Sequence, residues 1–112
     1  MKKIIVLIVN FLIVYSYAEI KLPSLFSDGM VIQRNTTVSI WGLVNPNKEV
    51  KIIFDDQSHQ TIANNEGFFS IKLSPMDASS KPRSILISSE NELKKIKDVL
   101  VGEIWLCSGQ SN

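Results

Sequence analysis

Apolar and polar positions divide this 112-residue chain into three unlike stretches. Residues 4–15, from Ile4 to Tyr15, hold eleven apolar side chains and one polar one, Asn10. From Ile20 onward the pattern alternates. Val38 and Ile40 stand against Thr37 and Ser39, Val50, Ile52 and Phe54 repeat the spacing, and Phe69, Ile71 and Leu73 do so again. A period of two sends alternate side chains to opposite faces, so each run predicts a half-buried strand and these eight apolar residues a core. Asn45-Pro46-Asn47, Asp55-Asp56-Gln57 and Ser74-Pro75 break the runs, because proline cannot donate to a ladder and Asn and Asp favour turns. Asn64-Asn65-Glu66-Gly67 predicts a hairpin loop between Gln60–Ala63 and Phe69–Leu73. Arg83–Ser88 and Leu93–Val99 predict a further pair joined through Ser89–Glu92. Leu93 and Ile96 have a helical spacing, but the segment is too short to hold a helix.

Short strands with frequent turns predict an all-β fold, an N-terminal β-sandwich of jelly-roll or immunoglobulin-like type over residues 19–98. The third stretch differs. Val99 to Cys107 is almost unbroken apolar sequence, the mark of a strand covered on both faces. Such cover comes from layers, usually helices, that the chain does not contain. The expectation is therefore that residues 99–112 open a second, truncated domain.

The first stretch reads as a targeting segment. Lys2 and Lys3 precede the apolar run and Ser16-Tyr17-Ala18 follows it, the order of a secretory signal over residues 1–18. A spanning helix needs about 20 apolar residues, and polarity returns here at Glu19 and Lys21. The expected location is secreted or periplasmic, with no membrane attachment after cleavage. Removing 18 of the 112 residues leaves 94, with ten basic side chains against eleven acidic. That balance offers no footing for nucleic acid or an anionic membrane. An apolar content of 45% excludes a disordered tail or a collagen-like fibre. Cys107 is the one cysteine, so the chain forms no internal disulfide and depends on its core.

Candidate chemistry concentrates in Gly102-Glu-Ile-Trp-Leu-Cys-Ser-Gly-Gln-Ser-Asn112. A strand running into Gly-x-Ser places a serine on a tight turn at the carboxyl end of a sheet, where open α/β folds bind ligands. The hydroxyl then faces the crevice and its own N–H can face an oxyanion. Gly-x-Ser also occurs in ordinary turns, so the residues alone leave both readings open. His59, the one histidine, lies in the polar segment Asp55–Gln60 and reads as a solvated strand or turn residue. Asp55 and Asp56 read as turn formers, too few in oxygens for calcium. Ser108 reads as a turn residue, Cys107 as core, and Trp41 and Trp105 as packing. Asp28-Gly29 reads as a turn with positive φ at the glycine. Neither a metal nor a cofactor is expected.

Three segments together narrow the choice. Leu22-Pro-Ser-Leu-Phe-Ser-Asp-Gly-Met-Val-Ile-Gln-Arg34, Val38-Ser-Ile-Trp-Gly42 and Val101-Gly-Glu-Ile-Trp-Leu-Cys-Ser-Gly-Gln-Ser-Asn112 resemble the sialate O-acetylesterase family of SGNH-type (GDSL-like) hydrolases. The resemblance implies a β-sandwich followed by the first strand and nucleophile turn of a truncated α/β/α hydrolase domain. It implies Ser111 as nucleophile and as an oxyanion-hole donor, with Gly109 and Gln110 in front of it and Asn112 a member of the motif without further role. The implied substrate is an acetylated sialic acid or related acetylated glycan. The partnering Asp and His of the family fall beyond residue 112. Two other expectations stand beside the esterase: a non-catalytic carbohydrate-binding β-sandwich, and an inactive remnant of a truncated gene. A finished binding module is disfavoured by an apolar strand at its end.

Overall fold

A computed structural model describes the chain over residues 19–104. Seven strands appear: β1 (Val31–Gln33), β2 (Val38–Leu43), β3 (Glu49–Phe54), β4 (Gln57–Ile62), β5 (Phe68–Leu73), β6 (Ser79–Ser89) and β7 (Glu92–Gly102). Among the described residues there is no helix. Five strands form one sheet in the order β1-β7-β6-β3-β4, and β2 and β5 form a second. Ile40, Phe69, Ile71 and Leu73 from the small sheet join Val50, Ile52, Phe54, Ile85, Ile87, Ile96, Val99 and Val101 from the large one in a single buried core. Two sheets sharing one apolar layer is the arrangement a β-sandwich requires.

The alternation read from the sequence is the alternation of burial. β3 and β5 each bury every second residue without exception. Seven of the eight residues expected in the core are buried, whereas Val38, first in its strand, is only half-buried against it. Trp41 packs as expected, its ring edge-on to Phe26 at 4.8 Å between centroids.

The connections depart from expectation in two places. Asn64–Gly67 is not a hairpin loop, because β4 pairs with β3 and β5 pairs with β2. The segment carries the chain from one sheet to the other. Asn64 shapes it by accepting the N–H groups of Glu66 and Phe68 on Oδ1, both at 2.9 Å. A side-chain oxygen that satisfies two loop amides stabilises such a turn locally, and no strand partner is needed. The Asp55-Asp56 turn is a true hairpin: Phe54 pairs with Gln57, and Asp55 sits at φ 56°. Its carboxylate holds Arg83, whose guanidinium also lies 5.0 Å over the Phe54 ring.

The second departure concerns the strand expected to open at Val99. Val99–Gly102 is the end of β7, continuous with Glu92 onward. It is well packed, with Val99 and Val101 in the core and Leu100 half-buried on the other face. A bulge explains why alternation was hidden here. Ile85 faces Ile96 and Arg83 faces Val99, so two steps on β6 match three on β7, with Asp98 at φ 57°. The extra residue shifts the period, and burial steps from Ile96 to Val99 to Val101. That spacing mixes three with two and imitates both a helix and a continuous apolar run. Pro82 lies within the irregular stretch of β6, where the missing N–H is tolerated.

Two motif glycines are held by different constraints. A Cβ on Gly42 would stand 2.4 Å from the Lys21 carbonyl oxygen, where Lys21 and Leu43 exchange backbone hydrogen bonds. Gly29 has φ +83° but open space around it. Gly29→Ala is therefore expected to cost about 1 kcal/mol, the left-handed penalty alone. Gly42→Ala should cost at least about 2 kcal/mol, since backbone must move. Urea midpoints of the two variants check the order; equal shifts would contradict it.

Candidate functional site

The exit of β7 is held from both sides. β7 lies between β6 and β1, and β1 pairs with it in parallel: Val31 with Leu100, Ile32 with Val101, Gln33 with Gly102. A strand of three residues is short for independent pairing, but its flanks extend the grip in both directions. Upstream, Lys97 N–H donates to Asp28 Oδ1 at 2.7 Å and Gly29 N–H donates to the Lys97 carbonyl at 2.9 Å. These bonds satisfy the backbone at the bulge, where the β6–β7 ladder is interrupted. Leu100 N–H donates to the Met30 carbonyl at 3.1 Å.

Downstream, Arg34 N–H donates to the Gly102 carbonyl at 2.8 Å. The Gln33 amide then spans the exit. Its Oε1 accepts the Ile104 N–H at 3.0 Å and its Nε2 donates to Glu103 Oε1 at 3.2 Å. Arg34 Nε stands 3.9 Å from Glu103 Oε2, an exposed pair that contributes little by itself. Beside the exit opens an apolar cavity of about 260 Å³ with Phe26, Met30, Trp41 and Ile104 in its wall.

The segment Asp28–Arg34 is thus a clasp along β7. It brings two of the motif segments quoted above, some seventy residues apart, into one continuous hydrogen-bonded strip. The Asp28-Gly29 turn has the positive φ expected at the glycine, and the Asp28 carboxylate is engaged by protein backbone. Reading the sequence missed β1 and the Gln33–Glu103 contact. Alternation cannot show in three residues, and a side-chain contact across seventy residues depends on a pairing that local pattern does not encode.

The expected site residues fall as follows. Ser111, Gly109, Gln110 and Asn112 lie outside the described residues, as do Trp105, Cys107 and Ser108. His59 is half-buried on β4, at the opposite edge of the sheet from β1. Three strand spacings separate β4 from β7, about 14 Å. Its Nε2–H donates to Gln57 Oε1 at 2.8 Å, and the same oxygen accepts the Ser74 N–H at 2.7 Å. His59 therefore belongs to a contact that ties β4 to the end of β5. A general base must reach the proton it takes, directly or through one water. Among the described residues, those around Gln33 hold the exit of β7.

The fold has a counterpart among solved structures. The chain is similar to a carbohydrate acetylesterase from Xanthomonas citri, at 29% identity and a TM-score of 0.74, over 77% of this chain and 20% of that one. This chain is related to a carbohydrate esterase. It spans about one fifth of that protein's length. The likeness reaches carbohydrate esterases as a class, not sialate O-acetylesterases in particular. No protein-family model matches the chain, and no curated protein matches it.

If His59 ties β4 to the end of β5, His59→Phe should lower stability by about 1 kcal/mol, the worth of one hydrogen bond. The urea midpoint of the variant checks this. An unchanged midpoint would contradict it.

Proposed function

We propose that this chain is the N-terminal part of an exported carbohydrate O-acetylesterase in which Ser111 is the nucleophile. The observation that carries this is the likeness of the β fold to a carbohydrate acetylesterase, together with the pairing of two motif segments at the exit of β7. The substrate is an acetylated glycan, and the motif resemblance favours an acetylated sialic acid. Lys2-Lys3, the apolar run and Ser16-Tyr17-Ala18 support export to the periplasm or beyond. The hydrolase domain would follow the strip that ends at Ile104, with Gly109 and Gln110 ahead of the serine.

In this mechanism the Ser111 hydroxyl attacks the acetyl carbonyl carbon while a histidine outside residues 1–112 takes its proton. The negative charge that develops on the carbonyl oxygen is met by the Ser111 N–H. The sugar hydroxyl leaves with the proton returned by the histidine, and an acetyl-serine remains. Water, activated by the same base, then releases acetate and restores the serine.

Ser111→Ala in the intact protein should lower turnover on acetylated sugars by roughly 10⁴- to 10⁶-fold, with binding largely retained. Ser108→Ala should leave turnover within about tenfold, because no chemical step uses it. Acetate release from O-acetylated sialic acid and from acetylated xylose-type sugars, assayed side by side, reads both variants and the sugar preference. Loss of activity in Ser108→Ala with retention in Ser111→Ala would move the nucleophile. A preference for acetylated neutral sugars would keep the esterase and remove the sialate assignment.

A further inference from the structure

We draw no further inference here: the strongest candidate, the apolar cavity of about 260 Å³ beside the end of β7 with the exposed Leu25, Val31 and Ile104 in its wall, carries nothing, because nothing in the structure shows what covers it.

Discussion

The parallel pairing of β1 with β7 is the contact on which the arrangement of this chain depends. It joins residues some seventy apart, so closing it costs chain entropy that three ladder pairs alone cannot offset. The cost is met by neighbours acting together. Asp28 and Gly29 satisfy the backbone at Lys97, Ile32 enters the core, and Arg34 binds the Gly102 carbonyl. With β1 in place, β7 has partners on both sides and its bulge is covered. Without it, β7 would be an exposed edge with unpaired N–H and C=O groups.

In the esterase proposed above, the same pairing would let the β domain contribute without carrying the reacting groups. The strip from Asp28 to Arg34 determines where the chain leaves the sheet, and the Gln33 amide determines its direction at Ile104. Sheets of this kind are stiff, because every strand is held by a ladder and a common core. The opposite edge, β4, is polar and carries His59 in a structural contact with Gln57.

Much of this fold was legible in the sequence where two signals agreed. In β3 and β5 the apolar period coincides with clear turn residues on both sides, and the buried residues are those expected. Legibility failed where a local signal had two meanings. Asn64–Gly67 carries hairpin chemistry, but its amides are satisfied by Asn64 itself, so the next strand was free to join the other sheet. The bulge at Asp98 shifted the alternation of β7 and made its end look like the start of a new strand. Pairing partners decided both cases, and they are fixed by the whole core rather than by neighbouring residues. For the candidate site, the motif around Ser111 was legible as sequence. The clasp that precedes it was not, since Gln33 and Glu103 meet only once β1 has found β7.

The proposed enzyme places its serine nucleophile, Ser111, seven residues after Ile104. Labelling the intact protein with a fluorophosphonate, followed by mass-spectrometric mapping of the adduct, tests it most directly. The expected result is a single phosphonylated residue, Ser111, because only a serine activated by a base reacts at a useful rate. An adduct on Ser108 or on another serine, or no adduct on a preparation that hydrolyses acetylated sugars, would contradict it.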